Sequence, residues 1–238
     1  KGKTFVYRIH DKPNAEKLSS FSYFIKRFGY EIDTENIKGL PAAMNKLMDE
    51  VSGKKEQNIV ETLALRSMAK AIYSTDNIGH YGLAFAHYTH FTSPIRRYPD
   101  MMVHRLLTKY LEGQPARDKD KYAKLCEHSS KMERLATDAE RASIKYKQVE
   151  FMSDKIGKVF EGVISGVTEW GIYVEIIENQ CEGMVAIRDL QDDYFEYDEE
   201  NYCIRGRQSG KVYMLGDNIS VEVVKADLQK RQLDYRLA

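Results

Sequence analysis

Two adjacent arginines, Arg96 and Arg97, have the residue type and the setting to bind an anion. They follow Ser93 and Pro94, residues that suit the N-cap and the first position of a helix. The pattern therefore predicts that both arginines lie in the first helical turn, where the helix dipole disfavours each cation by about 0.3 to 1 kcal/mol. A bound anion would offset this cost. Free backbone N–H groups and two guanidinium groups together suit a phosphate.

The same segment also allows an interpretation without a ligand. Asp100 follows the arginines at about one helical turn, so its carboxylate could neutralise Arg96 or Arg97 within the protein. Pro99 cannot donate a backbone hydrogen bond to the preceding turn, which predicts a kink or a restart of the helix. From the pattern alone, phosphate binding and internal neutralisation are equally supported.

Histidines and aromatic residues crowd the region around the two arginines. The spacing of His87 and His90 occurs in some metal sites, but neither a cysteine nor a third ligand accompanies them, so the sequence predicts no metal site here. We expect these histidines to pack or to contact a ligand. For the aromatic side chains, a place in the core and a place on a channel wall are both open; they are Tyr81, Tyr88, Phe91 and Tyr98.

The elements that must position these residues change character near Lys155. Before it, apolar residues recur at helical spacing and predict five helices. After it the period becomes two, and five short, glycine-punctuated strand candidates predict a small closed barrel of the OB type. The sequence therefore predicts a multidomain α+β protein, with a mainly helical region at 1–150 and a five-stranded barrel at 155–238. The acidic residues between Asp189 and Glu200 predict a solvated loop.

Composition and charge narrow the class of protein. No apolar run approaches the ~18 residues of a membrane span, so we expect no membrane association. Three widely spaced cysteines fit neither a disulfide framework nor a zinc site, and a reducing cytoplasm is the expected location. Residues 1–150 carry 26 Lys and Arg against 19 Asp and Glu, whereas residues 151–238 carry 10 against 17. The first region is thus the better partner for a polyanion.

Three segments of the first region carry a family resemblance: YRIHDKP (Tyr7–Pro13), the stretch from Leu65 to Leu107 that contains HFTSPIRRYPD, and DAERAS (Asp138–Ser143). They resemble the end of the RNB catalytic domain of the ribonuclease II family of exoribonucleases. The barrel resembles an S1-type RNA-binding domain through GKVFEGVISGVTEWGIYVEI, CEGMVAIRDL and MLGDNISVEVVKAD. The motif RRYPDMMVHR and the insertion DDYFEYDEE favour the ribonuclease R branch of this family over the ribonuclease II branch.

The resemblance implies an enzyme that hydrolyses single-stranded and structured RNA from its 3′ end to nucleoside 5′-monophosphates. RNA would be its partner, magnesium its metal cofactor, and no small-molecule cofactor is implied. The family's metal-binding aspartates precede the region that matches this chain, so the chain alone is expected to bind RNA weakly and not to cleave it. A non-catalytic RNA-binding module with a degenerate RNB domain is the alternative.

The resemblance also implies roles for residues of the first region. Arg96 matches the arginine that contacts the RNA backbone beside the scissile phosphate and would stabilise charge in the transition state, whereas Arg97 is expected to be more structural. Glu140 matches a glutamate that would orient an arginine; the alternative is a surface ion pair with Lys145 or Arg141. Further RNA contacts are expected from Arg97, His90, Ser93 and Tyr98.

In the barrel, the resemblance implies a face that stacks RNA bases and holds phosphates. The expected stacking residues are Phe160, Trp170 and Tyr173, and the expected phosphate partners are Arg188 and Lys158. Burial is the alternative, above all for Trp170. Ala186 stands where many S1-type domains have a histidine, so one possible RNA contact is absent.

Overall fold

The structure, a computed structural model, describes residues 2–34, 39–54, 56–191, 193–199 and 201–238. Helices dominate as far as Ser153, and strands follow from Val159. The predicted α+β class, with helices before a barrel, is confirmed. The chain divides into two compact units: the first comprises Lys1–Phe21, Ile32–Met44 and Ala64–Asp138, and the second comprises Ser22–Glu31, Asn45–Leu63 and Ala139–Ala238.

The helical periodicity correctly predicts five α-helices in the described residues: α1 (Ala15–Ile25), α2 (Leu40–Val51), α3 (Gln57–Ser67), α4 (Tyr98–Leu111) and α5 (Lys119–Ser153). The first helix starts after Asn14, whose side-chain Oδ1 accepts a hydrogen bond of 3.0 Å from the backbone N–H of Lys17 and so caps the helix. A short 3-10 turn leads from its end to Gly29, which has a φ of 82°. Glycine adopts this left-handed conformation at little cost and stops the helix.

The core of the first unit contains residues of α4, of α5 and of a small sheet. In this sheet, β1 (Tyr7–Ile9) pairs antiparallel with β2 (Ile72–Ser74). The buried side chains are Val6, Tyr73, Met102, Val103, Leu106 and Cys126. Neither strand is predicted from the sequence, because three residues are too few for an alternating pattern to be recognised.

The second unit contains the predicted barrel. β3 (Val159–Thr168), β4 (Gly171–Ile176), β5 (Glu182–Ala186), β9 (Asn218–Asp227) and β10 (Gln232–Leu237) close in the order β10-β5-β4-β3-β9. Ile172, Val174 and Ile176 on alternate positions of β4 are fully buried, as a strand with one inward face requires. Tyr235 fills the space above Gly183, where an added Cβ would lie 2.6 Å from the ring.

A further sheet of three antiparallel strands follows the barrel's third strand: β6 (Phe195–Asp198), β7 (Cys203–Gly206) and β8 (Val212–Met214). The prediction of a solvated loop for the acidic run was therefore wrong, although Asp192 and Glu200 lie outside the described residues. Asp193 accepts hydrogen bonds from the hydroxyl and the backbone N–H of Ser209, which lower the pKa of its carboxyl. Buried Phe195 and Ile204 anchor the strands in the core. Because charged residues stand between these two apolar positions, the sequence does not show the alternation expected of a strand.

Among the helices in these ranges, none is long and apolar enough to cross a membrane.

Candidate functional site

The segment with the two arginines forms a tight turn before α4. The backbone carbonyl of Ser93 accepts hydrogen bonds from the N–H groups of Arg96 (3.3 Å) and Arg97 (3.0 Å). The helix begins only at Tyr98, with Arg97 at the N-cap and Pro99 in the first turn. The predicted N-cap at Ser93 was therefore wrong, while the predicted restart at Pro99 is confirmed. Proline fits the first turn because its missing N–H would have no partner there in any case.

The buried carboxylate of Asp100 stabilises this turn through hydrogen bonds. Its side chain is 0% exposed, and Oδ2 accepts hydrogen bonds from the backbone N–H of Ser93 (2.7 Å) and from Nη2 of Arg97 (2.9 Å). Internal neutralisation thus applies to Arg97. Arg96 is exposed, and no described carboxylate forms an ion pair with it. Of the two arginines, the free cation is Arg96, which leaves its guanidinium available for an anion.

His104 holds the same loop at a second point. It lies one helical turn after Asp100 on α4, and its Nε2 donates a hydrogen bond of 2.8 Å to the backbone carbonyl of Phe91. The imidazole also stacks on the Phe91 ring, with 4.2 Å between centroids and 9° between planes. Two side chains four residues apart lie on one helix face, so α4 grips the loop at both Phe91 and Ser93.

Tyr73 contacts both His90, which precedes the turn in sequence, and Arg8. The hydroxyl of Tyr73 lies 2.8 Å from Nδ1 of His90, and the guanidinium of Arg8 lies 4.5 Å from the centre of the Tyr73 ring. Arg8 also forms a 2.6 Å ion pair with Glu133. Burial, followed by the charges of Arg97 and Arg8, lowers the pKa of His90. This shift favours the neutral imidazole, and an RNA contact through His90 stays a prediction.

The exposed end of the barrel carries a second group of candidate residues. Trp170, in the turn between β3 and β4, is 68% exposed, so the burial alternative for it was wrong. Tyr173 points outward on β4, and its ring covers Gly166 at an ordinary contact distance. Strand register aligns Tyr173 with Met184 on β5, which is followed by Asp234 and Lys225 on the next two strands. This row of paired residues therefore contains both an aromatic ring, that of Tyr173, and a cation, Lys225.

Two residues predicted for this face lie elsewhere. Phe160 is partly buried and packs against the barrel core, and its part in base stacking stays a prediction. Lys158 precedes β3 and Trp170 follows it, which places them at opposite ends of a strand of ten residues. A phosphate contact through Lys158 stays a prediction. The exposed Arg188, in contrast, lines a groove of about 460 Å³ together with Met184, Ala186 and Lys225.

Comparisons with known proteins match two parts of the chain to different domain models. An RNB domain model matches residues 1–113, and an S1 RNA binding domain model matches residues 153–236. Ribonuclease R 1 of Lactococcus lactis is 41% identical over 239 residues, which cover 98% of this chain and 29% of that protein. The chain thus contains parts similar to an RNB domain and an S1 RNA binding domain, and it is similar to ribonuclease R over nearly its whole length. It spans about a third of the length of the curated ribonuclease R relatives it matches.

Solved structures of the RNB fold extend the comparison. Ribonuclease R of Mycoplasma genitalium, in complex with ribose-methylated single-stranded RNA, superposes with a TM-score of 0.86 at 28% identity and covers 99% of this chain and 38% of that chain. Yeast Ssd1, described as a pseudonuclease, superposes with a TM-score of 0.65 at 27% identity and covers 85% of this chain and 26% of that chain. The branch that the motifs favoured, ribonuclease R, is confirmed.

Two further residues that resemble ribonuclease R site residues have few contacts here. Glu140 is exposed on α5 in the second unit, and none of the described residues forms an ion pair with it. Its proposed alternative partner, Lys145, donates to the backbone carbonyl of Glu182 (2.5 Å). Burial lowers the pKa of Lys145. Tyr98 is half exposed beside Arg97 in sequence. The roles of Glu140 and Tyr98 stay predictions.

No sequence pattern singled out His10, which shapes the loop before the motif together with His80. His10 accepts a hydrogen bond at Nδ1 from the N–H of Gly82 (2.9 Å), so its Nε2 carries the proton that it donates to the carbonyl of Ala69 (2.7 Å). Its ring lies 5.1 Å from that of His80. Burial, and then His10, lower the pKa of His80. The His10 and Gly82 positions are 72 residues apart, and no local pattern reveals such a contact.

Proposed function

We propose that this chain is part of a 3′-to-5′ exoribonuclease that hydrolyses single-stranded and structured RNA to nucleoside 5′-monophosphates. The observation that carries the proposal is the unequal state of the two arginines. Arg97 forms an ion pair with the buried Asp100, whereas Arg96 has no ion-pair partner among the described residues. Arg96 lies in a turn that four backbone and side-chain hydrogen bonds hold in place. A fixed, unpaired guanidinium beside a phosphodiester stabilises the charge that develops during hydrolysis.

Fixation matters because a preorganised cation does not need to reorient when charge develops. Ser93 contributes its backbone N–H and carbonyl to the turn, and Arg97 contributes its guanidinium. In our proposal these residues position Arg96, and only Arg96 contacts the reacting phosphate. Glu140 would orient an arginine of the completed site.

Magnesium, which we propose as the cofactor, does not fit the residues of this chain. In the described ranges, no three histidine, cysteine or carboxylate side chains meet as a metal site requires. The carboxylate nearest Arg96 in sequence, Asp100, is already engaged by Ser93 and Arg97. We therefore propose that the metal ligands lie outside the chain, and that the chain alone binds RNA weakly without cleaving it. Processive release of nucleoside monophosphates by the purified chain would contradict this.

The barrel would hold the RNA in a way that tolerates any sequence. Exposed Trp170 and outward Tyr173 offer faces on which bases can stack, and each stacked base contributes about 1 to 3 kcal/mol. Arg188 and Lys225 line the adjacent groove and suit phosphates. The known RNA complex of the Mycoplasma genitalium relative supports RNA as the partner. We propose the cytoplasm as the location of the protein, since its three cysteines are free thiols in the structure.

The second candidate function is a non-catalytic RNA-binding module, which the fold shared with the pseudonuclease Ssd1 favours. Hydrolysis by the full-length protein separates the two. In the enzyme, Arg96→Ala lowers the single-turnover cleavage rate of a 5′-labelled single strand by roughly 100-fold or more, while RNA affinity falls by roughly tenfold at most. Arg105→Ala, an exposed arginine of α4 in the same unit, serves as the matched control.

Cleavage by the full-length protein and cleavage by Arg96→Ala test two separate parts of the proposal. If the full-length protein fails to cleave RNA with magnesium present, the non-catalytic module is correct. If Arg96→Ala cleaves as fast as the unaltered protein, Arg96 has no part in the mechanism.

A further inference from the structure

The loop gripped by α4 presents an aromatic ring as well as a cation. His104 binds the carbonyl of Phe91 and Asp100 binds the N–H of Ser93, so both ends of this short loop are fixed. The Phe91 ring is 42% exposed although the His104 imidazole covers one of its faces at 4.2 Å. Phe91 is also absent from the apolar core of the first unit. Its second face is therefore available on a side chain that cannot easily turn away.

The ring and the cation lie within reach of one short RNA segment. Arg96 lies five positions after Phe91, and five residue steps span about 17 Å at most when fully extended. The turn that Ser93 closes with Arg96 and Arg97 shortens this separation. Between them, Ile95 is 97% exposed, so no described side chain covers the apex of the turn.

We propose that Phe91, backed by His104, is a base-stacking subsite for a nucleotide next to the phosphate that Arg96 binds. The inference rests on the proposed function and adds the ligand class of a neighbouring site, a nucleobase of any identity. Stacking suits an exonuclease without sequence preference because every base has an aromatic face. The His104 imidazole stiffens the platform, since it fixes the ring through both its face and the backbone carbonyl.

Phe85 provides a matched comparison within the same unit. It is exposed to a similar degree, 53%, and stacks on Tyr88 at 5.8 Å and 24°. Its backbone is not gripped by α4, and it lies outside the turn that carries Arg96. If exposure alone made an aromatic residue an RNA contact, Phe85 and Phe91 would behave alike.

The test is binding of a six-nucleotide single-stranded RNA with one 2-aminopurine, whose fluorescence falls when the base stacks. The full-length protein is titrated in EDTA, so that the RNA stays intact. We expect Phe91→Leu to weaken binding by about tenfold and to reduce quenching, whereas Phe91→Trp retains both and Phe85→Leu changes neither. His104→Gln, which keeps an N–H donor but removes the stacked ring, should weaken binding by a smaller factor.

The salt dependence separates this inference from the proposed phosphate contact. Arg96→Gln should reduce the slope of log affinity against log salt by about 0.7, the value for one phosphate of a single strand, while Phe91→Leu leaves the slope unchanged. If Phe91→Leu binds and quenches like the unaltered protein, the stacking subsite is overturned and the Arg96 contact is untouched. If Phe91→Leu unfolds, loss of quenching by the folded Phe91→Trp variant overturns the subsite. An unchanged slope for Arg96→Gln overturns the phosphate contact alone.

Discussion

The turn at Arg96 and the outward face of β4 present side chains to solvent by different physical means. At the turn, one buried carboxylate binds a backbone N–H and a guanidinium, and these few polar bonds determine where Arg96 lies. On β4, the direction of Tyr173 follows from strand alternation over the buried Ile172 and Val174. The first arrangement concentrates its stability in one residue. The second distributes it over a barrel core.

This difference predicts where each region is vulnerable. A polar lock fails when one partner is removed, because the other partners stay buried without compensation. A barrel face tolerates the loss of an outward side chain, since the inward contacts that set the register remain. Substitutions that distinguish positioning from contact should therefore give opposite results in the two regions.

Removal of the Asp100 carboxylate should have the largest effect. Asp100→Ala leaves the half-buried Arg97 and the N–H of Ser93 without their acceptor, and the free energy of unfolding should fall by about 3 to 5 kcal/mol. Urea unfolding of the chain measures this. Asp189→Ala, which removes the exposed partner of Arg188, is the control and should change the stability by less than about 1 kcal/mol. Equal losses of stability for the two variants would show that the hydrogen bonds of Asp100 do not stabilise the turn.

Backbone crowding in the barrel should give the next largest effect. Gly171 opens β4 with a φ of 151°, and an added Cβ would lie 2.1 Å from the carbonyl oxygen of Val185. Gly171→Ala should therefore lower the free energy of unfolding by about 3 kcal/mol, because a neighbouring strand must move. Gly166→Ala, whose Cβ would meet Tyr173 at 3.4 Å, should cost much less. A neutral Gly171→Ala would mean that strand register there is loose.

Local pattern predicted the barrel better than it predicted the turn. Alternation along β4 appears in consecutive residues, and it places Ile172, Val174 and Ile176 on the one face that the structure buries. The helix start was misplaced because Ser93 and Pro94 satisfy the local rules of an N-cap, while the actual start depends on Asp100 reaching back seven residues. Long-range contacts such as that of His10 with Gly82 leave no mark in the local sequence.

The role of Phe160 on β3 was expected from a resemblance and not from strand alternation. Phe160 pairs with the fully buried Val221, and it lies four residues before the buried Ile164, on the same side of the bulge between Ile164 and Gly166. Alternation therefore places Phe160 on the inward face, where its ring packs partly buried against the core.

The inward placement of Phe160 can be tested by comparing Trp170 with Phe160. Trp170→Leu should weaken binding of single-stranded RNA by the free energy of one stacked base, about 1 to 3 kcal/mol, with little change in stability because the ring is exposed. Phe160→Leu should do the reverse, since its ring contacts the core. Fluorescence anisotropy measures affinity, and urea unfolding measures stability. A loss of RNA affinity specific to Phe160→Leu would favour base stacking on Phe160 instead.

The smallest effect should come from protonation of His90 beside the turn. Burial and the charges of Arg97 and Arg8 hold its pKa in the folded protein below the ordinary value, while Asp100 and Glu133 oppose them. As the pH falls from about 6.5, the unfolded chain therefore takes up this proton before the folded protein does. The free energy of unfolding then decreases, and the loss is complete below the folded-state pKa.

Urea unfolding at pH 7.5 and at pH 5.5, two values chosen on either side of the ordinary pKa of histidine, detects this change. His90→Gln should show a smaller stability difference between them than the unaltered chain, in which burial lowers the pKa of His80 in the same direction. His87→Gln, at an exposed position of the same loop, should match the unaltered chain. An identical difference in His90→Gln would mean that its hydrogen bond with Tyr73 persists through protonation, with the hydroxyl turning to accept. The turn would then be as tolerant of a change in charge as the barrel face.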